Sequence, residues 1–198
     1  MNITSELVKA LRDKTQAGMM DCKEALKAAD GDMDKAVEYL RKKGLATAQK
    51  RAGRTTSQGQ VGSYIHGGGK IGVMVEVNCE TDFVGRTDQF GDLVHNIAMH
   101  IAAANPICVR REDVPAELLE KEKEIYRAQA KESGKPEKVL DKIAEGKLEK
   151  FFKDFCLMEQ AYVKNPDISI TDLINDKIAQ IGESISIRRF TRYQLGED

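Results

Sequence analysis

The 198-residue chain has no apolar run long enough to cross a membrane. Its first segment, MNITSELVKALRDK, has spaced apolar residues instead of the continuous apolar core of a signal peptide. Because the net charge is only −1, the molecule as a whole exerts no long-range pull on nucleic acid. These absences predict a cytoplasmic protein that contacts neither a membrane nor nucleic acid directly.

Motifs for metal binding and catalysis are missing as well. The chain has no GxSxG nucleophile elbow, and HGGGK (66–70) is not a phosphate loop, because Ile71 follows the lysine. The cysteines form no CxxC pair and share no ligand spacing with histidines, which favours buried, reduced thiols over a zinc site: Cys22, Cys79, Cys108 and Cys156. We therefore expect a binding protein that is not an enzyme and holds no cofactor or metal.

The chain does have enough apolar material for a core, with 41% hydrophobic and 32% charged residues. Residues 1–54 carry 12 Lys/Arg and 8 Asp/Glu, whereas the remainder carries 19 and 24. The sequence thus divides into a mildly basic N-terminal piece and an acidic body, with a predicted boundary near residue 55. Before this boundary, Lys50, Arg51 and Arg54 are interpreted as solvated, with contact to a phosphate or an acidic partner as the alternative.

The N-terminal piece shows three short helical patterns. The first spans about 4–14 and has Thr4 as its cap, and the second carries apolar residues from Met19 to Leu26 at helical spacing. The third begins near Met33, and Gly44 is expected to end it, while residues 45–59 are interpreted as a helical extension that runs into a linker. Three such helices in about 45 residues predict a compact bundle, so residues 1–54 are predicted to form one domain with a basic linker.

The body, residues 55–198, begins with a predicted hairpin. Residues 60–66 form one strand, apolar residues alternate along 71–77, and GGG (67–69) supplies the turn. The apolar positions of 87–104 follow the helical repeat, which predicts a helix packed on the sheet.

Charged helices are predicted in the middle of the body. ICVRREDV (107–114) is interpreted as a short extended piece. The patterns at about 115–131 and 136–152 predict two helices, which together form a helical hairpin at about 115–153. An aromatic stripe at helical spacing is interpreted as core: Phe151, Phe152 and Phe155.

The last part of the chain completes the predicted sheet. SITD (169–172) resembles a capping box before a helix that ends at Gly182. Residues 183–195, ESISIRRFTRYQL, are rich in β-branched and aromatic residues and predict a third antiparallel strand. On the helix at 87–104, His95 and His100 fall mostly off the apolar face and are expected to be exposed. The predicted fold class is α+β: a three-helix domain, then a core with a three-stranded antiparallel sheet packed against helices.

The stretch NCETDFVGR (78–86) allows two accounts of Phe83. In the first, Thr81 or Asp82 caps the coming helix and Phe83 packs beneath it, as large aromatic residues usually do. In the second, the turn projects Phe83 as an apolar wedge with a charge beside it, offered to another protein. Spacing alone favours the first account but does not separate the two.

Two stretches resemble the signatures of a known family, bacterial elongation factor Ts. LRDKTQAGMMDCKEAL (11–26) is similar to the first signature and VEVNCETDFV (75–84) to the second, in the same order and at the same separation. The likeness extends over most of the chain. Gln16 departs from the pattern, since many members have glycine there, and this departure concerns only local turn geometry.

The resemblance implies a guanine-nucleotide exchange factor for elongation factor Tu in translation elongation. Such a factor binds the GDP-bound partner, displaces Mg²⁺, loosens the phosphate site and stays on the nucleotide-free partner until GTP binds. The resemblance also implies that the three N-terminal helices form a ubiquitin-associated-like module that docks on the partner's nucleotide-binding domain.

Carried over by position, the Mg²⁺-dislocating motif is Thr81, Asp82, Phe83 and Val84. In this hypothesis Phe83 supplies the wedge, and Asp82 biases the displaced segment of the partner. The resemblance further assigns partner contacts to residues near the start of the second helix: Met19, Met20 and Lys23. Met19 has an alternative role as a core residue of the bundle.

Longer relatives have a duplicated core and an inserted coiled-coil hairpin, whereas this chain has a single TDFV motif and resembles the short form. Short forms are associated with homodimers, for which the strand at 183–195 and the aromatic stripe are candidate interfaces, monomer core being the alternative. Two other functions stay open: an adaptor whose helical module binds some other protein, and a thiol- or carboxylate-using enzyme.

Overall fold

The computed structural model describes residues 3–197. Within them the fold is α+β, with eight α-helices, an antiparallel sheet of strand order β1-β2-β5 and a small β3-β4 sheet. The elements in chain order are α1 Ser5–Thr15, α2 Met19–Ala28, α3 Met33–Arg51, β1 Gln58–His66, β2 Ile71–Cys79, α4 Asp82–Gly85, α5 Asp88–Ala104, α6 Ala116–Glu132, α7 Glu137–Phe155, β3 Ala161–Tyr162, β4 Asn165–Ser169, α8 Ile170–Ile181 and β5 Ile185–Gln194. The predicted α+β class and three-stranded antiparallel sheet are confirmed.

The described residues divide into two compact units. The first comprises the chain up to Gly59 together with Asn78–Thr87 and Asp172–Ser186. The second comprises Gln60–Val77, Asp88–Thr171 and the chain from Ile187 onward. The domains predicted from the sequence, 1–54 and 55–198, stay predictions.

In the first unit, α1, α2 and α3 pack around a small apolar core. Thr4 caps α1 by accepting a hydrogen bond from the Leu7 N–H at 3.3 Å. Asp32 caps α3 by accepting from the N–H groups of Asp34 and Lys35, both at 3.0 Å. The three predicted helices are confirmed, and their buried residues are Val8, Leu11, Cys22, Ala25, Leu26, Ala29 and Ala36.

The prediction that Gly44 ends the third helix is wrong. Helix α3 continues to Arg51, and Gly44 is buried in its interior. A Cβ atom at Gly44 would lie 3.2 Å from the Cβ atom of Ala179 on α8. Glycine costs a helix interior about 1 kcal/mol relative to alanine, but here it lets two helices of the first unit approach closely. This glycine therefore serves helix packing, which a single-sequence cap signal does not reveal.

In the second unit, α5 packs on the β1-β2-β5 sheet. The β1–β2 turn is made by Gly67, Gly68 and Gly69, whose φ angles of 62°, 67° and 91° lie in the left-handed region that favours glycine. The hairpin, the amphipathic helix and the third strand are all confirmed. The buried apolar residues of this layer are Val73, Val75, Val77, Phe90, Leu93, Val94, Ile97, Ile101 and Ile187.

The prediction that His100 is exposed is wrong, whereas His95 is exposed as expected. The His100 Nε2 lies 3.0 Å from Gln160 Oε1, and its Nδ1 accepts from the Val163 N–H at 3.3 Å. Both ring nitrogens are therefore satisfied in the neutral form that carries its proton on Nε2. Burial lowers the pKa of His100. Helical periodicity missed this residue because a polar side chain with buried partners lies off the apolar stripe.

Helices α6 and α7 form the helical hairpin predicted from the charged patterns. Phe151 is buried, as predicted. Phe155, the last residue of α7, is 40% exposed, so its interpretation as core is wrong.

Two local features differ from the predicted elements. The stretch 107–114 contains a single bridge residue, Cys108, and a 3-10 turn at Arg111–Asp113, instead of a continuous extended piece. The β3–β4 hairpin was not predicted, because β3 has only two residues and no measurable alternation.

We expect folding stability to fall as the pH is lowered through the range in which an unfolded histidine titrates. The unperturbed pKa is 6.5 and the buried ring has a lower one, so the unfolded chain takes up a proton first. The stabilisation that the neutral, buried His100 provides is fully present above the unfolded-state pKa of 6.5 and is lost as the pH falls through the lower, folded-state pKa. Replacing His100 with glutamine, His100→Gln, is expected to remove this part of the pH dependence, at a cost of about 1–2 kcal/mol in stability at neutral pH.

Urea unfolding measured between about pH 5 and pH 7.5 checks this expectation. His95→Gln, which changes an exposed histidine of the same helix, is the matched control. A His100→Gln variant with the wild-type dependence of stability on pH would contradict the assignment.

Candidate functional site

The residues of the predicted motif lie on one short helical turn, α4, that follows β2. Thr81 caps this turn: its Oγ1 accepts a hydrogen bond from the Val84 N–H at 3.4 Å. Thr81, Asp82 and Phe83 are exposed, whereas Val84 is buried. The turn, with its cap, is named the tip, residues 81–85.

Phe83 faces solvent with 79% of its surface exposed. The account in which it packs beneath the helix is therefore wrong. In a turn of four residues only one side can be covered, and Val84, at 7% exposure, occupies it. Burying a phenylalanine side chain is worth about 1.5–3 kcal/mol, so this position forgoes a stabilisation that most aromatic residues provide. The exposed ring is what the second account of this stretch requires.

A charge lies beside the ring. Asp82 Oδ2 is 2.9 Å from an Arg86 guanidinium nitrogen, and both side chains are largely exposed. Exposed pairs of this kind contribute about 0–1 kcal/mol, so Asp82 can exchange Arg86 for another donor at little cost. The tip thus presents an apolar ring and an available carboxylate together.

Glu183 fixes the start of the tip. Its Oε1 accepts from the Thr81 hydroxyl at 2.7 Å, and its Oε2 accepts from the Thr81 N–H at 3.1 Å. Hydrogen bonds to a charged acceptor are stronger than neutral ones, and two of them restrain both position and orientation. The backbone at Thr81 is therefore held by a residue 102 positions later in the chain.

Glu80 is the residue just before the tip, and hydrogen bonds to its side chain hold this part of the chain in place. Its carboxylate accepts from the Ser184 N–H at 2.7 Å and from the guanidinium groups of Arg54 at 3.2 Å and Arg51 at 3.5 Å. The Ser184 N–H, followed by Arg54 and Arg51, lowers the pKa of Glu80. Lys50 and Arg54 are exposed, as interpreted, whereas Arg51 is half-buried, and both arginines bind an acid of their own chain.

The covered side of the tip is closely packed. The Cys79 Sγ–H donates to the Thr81 carbonyl at 3.1 Å. At Gly85, a Cβ atom would lie 3.3 Å from the Cα atom of Gly59, so a larger residue would push the tip outward. Hydrogen bonds on one side and close backbone packing on the other leave Phe83 as the projecting group.

The candidate residues of the N-terminal helices are also exposed. Met19 is 52% exposed and Met20 74%, and Lys23 faces solvent one turn later on α2. Met19 lies outside the core of the bundle, so its alternative role as a core residue is wrong. Exposed methionines are adaptable contact residues, because the thioether is flexible and polarizable.

Between residues 3 and 197 there is no group of three or more His, Cys, Asp or Glu side chains arranged to hold a metal ion. No helix in that range is both long and apolar enough to span a bilayer. The groups that the tip exposes are an aromatic ring, a carboxylate and a threonine, which suit recognition of another surface.

Comparison with known proteins decides the family. A family model described as Elongation factor TS matches residues 2–197. Elongation factor Ts of Desulfosudis oleivorans is 64% identical over 195 residues, which cover 98% of each chain. That of Carboxydothermus hydrogenoformans is 63% identical over 98% of this chain and 90% of the relative, and that of Moorella thermoacetica 64% identical over 96% and 94%.

The chain belongs to the elongation factor Ts family. The resemblance drawn from the two signatures is thereby confirmed. In this member of the family the first signature spans α1 and α2, and the second spans β2 and the tip.

Sequence reasoning missed the two residues that position the tip. Glu80 stands inside the second signature, directly before Thr81, and its position could have suggested a role. Glu183 directly follows Gly182, which ends α8, and no local pattern connects it with the tip. Only the fold shows that this carboxylate meets Thr81.

We expect Glu183→Gln to loosen the tip while the fold is kept. Glutamine can accept one hydrogen bond but loses the charge, a loss of about 1–2 kcal/mol for this contact. Amide hydrogen exchange at residues 81–86 should accelerate by about tenfold, because local opening becomes easier by that amount. Glu145→Gln, on an exposed position of α7, is the control. Unchanged exchange at 81–86 in Glu183→Gln would show that Glu183 does not hold the tip.

Proposed function

We propose that this chain is a guanine-nucleotide exchange factor for elongation factor Tu in translation elongation. Family membership supports the role, and the printed name of its relatives, elongation factor Ts, agrees with it. The observation that carries the proposal is Phe83: a largely exposed ring on a turn whose other side is fixed by hydrogen bonds and packing. Such a ring forgoes the stabilisation of burial, and because the turn below it is fixed, it is available as a rigid aromatic contact for a partner.

In the proposed mechanism the tip acts on the partner's metal and phosphate site. In a GTPase, Mg²⁺ and backbone amides hold the phosphates of the nucleotide. Phe83 enters an apolar gap of the partner as a wedge, and Asp82 turns from Arg86 to donors of the displaced segment. Thr81 keeps the wedge in place through its hydrogen bond to Glu183, and Val84 does so through its burial. Mg²⁺ is displaced, the phosphate site loosens and GDP leaves.

Reciprocity then explains how the factor leaves. If the factor weakens nucleotide binding by some ratio, the nucleotide weakens binding of the factor by the same ratio. The factor therefore stays on the nucleotide-free partner until GTP binds. No covalent bond is made or broken in this cycle, so the proposed role is that of an exchange factor and not of an enzyme.

The N-terminal helices provide a second contact in this proposal. Helices α1 to α3 act as a ubiquitin-associated-like module that docks on the partner's nucleotide-binding domain. Met19, Met20 and Lys23, exposed at the start of α2, supply its contacts. The proposed partner is a translation protein of the cytoplasm, and no contact with membrane or nucleic acid is part of the mechanism.

We further propose that the chain forms a homodimer through the open face of the β1-β2-β5 sheet. On β2, Met74 alternates with the buried Val73 and Val75 and so lies on the opposite face. Apolar side chains recur on that face at more than half exposure: Val61 64%, Ile65 66%, Met74 54% and Tyr193 73%. A patch of this kind marks an interaction surface. It includes the strand predicted as an interface at 183–195.

The aromatic stripe is the weaker candidate for a dimer interface. Phe151 is buried within the chain. The guanidinium of Arg111 lies over the ring of Phe152, 4.6 Å from its centroid, so that face of the ring is occupied. Of the stripe, only Phe155 is exposed.

Phe83→Ala is expected to slow GDP release by about 10–100-fold, which corresponds to the loss of one central contact of about 1.4–2.8 kcal/mol. Folding should be unaffected, because the ring is exposed. The measurement is loss of fluorescence from elongation factor Tu loaded with fluorescent GDP, in an excess of unlabelled GDP and with substoichiometric factor. Asp82→Ala tests the charge separately.

Leu195→Ala is the matched control, since Leu195 is also 79% exposed but belongs to the second unit. Wild-type exchange activity in Phe83→Ala would refute the wedge while leaving the exchange function intact. If the unaltered chain fails to accelerate GDP release, the exchange function itself is refuted and the adaptor remains.

Met74→Glu is expected to abolish the dimer, because it places an unpaired charge among the exposed apolar side chains of that face. Light scattering coupled to gel filtration should give a mass of twice 22.0 kDa for the unaltered chain and one chain mass for the variant. Val163→Glu, at a residue of 42% exposure outside the three-stranded sheet, should leave the dimer intact. A monomeric unaltered chain would contradict this part of the proposal.

A further inference from the structure

Two thiols meet at the base of the α6–α7 hairpin, within the second unit. Cys108 stands before α6, and Cys156 directly follows α7. Their Sγ atoms are 3.5 Å apart. The other two cysteines, Cys22 and Cys79, belong to the first unit and are fully buried. The pair at 108 and 156 is used neither by the tip nor by the proposed dimer face.

The backbone holds the two thiols opposite each other. Three hydrogen bonds of 3.0 Å join residues 107–109 to residues 155–158. Cys108 and Cys156 are partners in a parallel bridge. Neighbouring strands lie about 4.7–4.9 Å apart, which falls inside the range of about 4.4–6.8 Å between Cα atoms joined by a disulfide. Bond formation therefore needs a small movement of the side chains and no rearrangement of the backbone.

The two thiols differ in access. Cys156 is fully buried beside Val114 and Phe151, whereas Cys108 is partly exposed. A small reagent therefore reaches Cys108 first, and Cys156 is placed to react with whatever forms there. Burial raises the pKa of both thiols, that of Cys156 to about 12. Because the thiolate is the reacting form, the reaction should be slow at neutral pH and faster as pH rises.

We propose that Cys108 and Cys156 form a redox modification site, which low-molecular-weight disulfides of the glutathione type convert to an intramolecular disulfide. The Cys108 thiolate attacks one sulfur of the small disulfide, and one small thiol leaves with the proton that Cys108 gave up. The Cys156 thiolate then attacks Cys108 Sγ, which breaks the mixed disulfide and releases the second small thiol with its proton. Two protein thiols are oxidised by two electrons in total, and one small disulfide is reduced to two thiols.

The bond would tie together the two ends of the helical hairpin. The closed loop contains the whole of α6 and α7. A crosslink across such a loop restricts the unfolded chain and stabilises the folded one. The oxidised protein is therefore expected to unfold at a temperature higher by about 5 °C or more, and reduction should reverse the shift.

The test uses the full chain in its folded state. The protein is incubated with oxidised glutathione at about pH 8, remaining thiols are alkylated, and tryptic peptides are analysed by mass spectrometry. We expect a crosslink between peptides 87–110 and 154–164, which contain Cys108 and Cys156. Cys22 and Cys79 should be recovered as reduced thiols, and dithiothreitol should remove the crosslink.

Single variants test the order of the two steps. Cys156→Ser should accumulate the mixed disulfide of Cys108 with glutathione, because the second thiol is missing. Cys108→Ser should leave Cys156 unmodified while the chain is folded. Cys79→Ala is the control and should form the crosslink as the unaltered chain does.

The proposal is overturned if Cys108 and Cys156 both stay reduced in the folded chain, or if the crosslink forms only in denaturant. It is equally overturned if Cys108 forms its disulfide with a second copy of the chain. Should a serine variant fail to fold, the peptide map of the unaltered chain still decides between these results.

Discussion

The hydrogen bonds that two carboxylates accept beside the tip are the constraint on which the proposed function depends. Glu183 holds the hydroxyl and the N–H of Thr81, and Glu80 joins the preceding backbone to Ser184 and to two arginines near the end of α3. These contacts link parts of the first unit that are far apart in sequence. Without them, a turn of four residues has too few hydrogen bonds of its own to keep one conformation.

An exposed ring on a fixed turn binds a partner more strongly than the same ring on a flexible loop. A flexible loop would lose conformational entropy on binding, and that loss would weaken the contact. Here the ordering is already done by folding: Val84 is buried, Gly85 packs against backbone, and Phe83 is left projecting with Asp82 beside it. The chain gives up the burial of one aromatic side chain and obtains a preorganised contact surface. Stability and the proposed function make opposite demands at this one position.

Much of the fold could be predicted from the sequence, because regular elements leave a period in the apolar residues. The first three helices, the hairpin with its glycine turn, and the third strand all have that signal. Gly44 and His100 were mispredicted because each depends on a tertiary neighbour, Ala179 for the glycine and Gln160 for the histidine. The burial of Phe155, at the end of α7, was mispredicted as well, because this residue keeps the helical spacing of the aromatic stripe and is nevertheless 40% exposed.

The candidate site was predictable only in part, and for a similar reason. The family signatures located the motif, but local spacing favoured a buried Phe83 and gave no sign of Glu183. Which of two adjacent apolar residues is covered depends on the chain that packs over the turn. The positioning carboxylate lies 102 residues from the threonine that it holds, and such a pair becomes visible only when both are placed by the fold.

The most direct test of the account is a double-mutant cycle on GDP release from elongation factor Tu, with Phe83→Ala, Glu183→Gln and the double variant. If Glu183 acts by holding the tip, its replacement should slow exchange in the unaltered chain but add little once the ring is gone. Strong non-additivity, with a coupling of about 1 kcal/mol or more, is the predicted result. Effects that simply add would contradict the account, because they would mean that the carboxylate and the ring act independently.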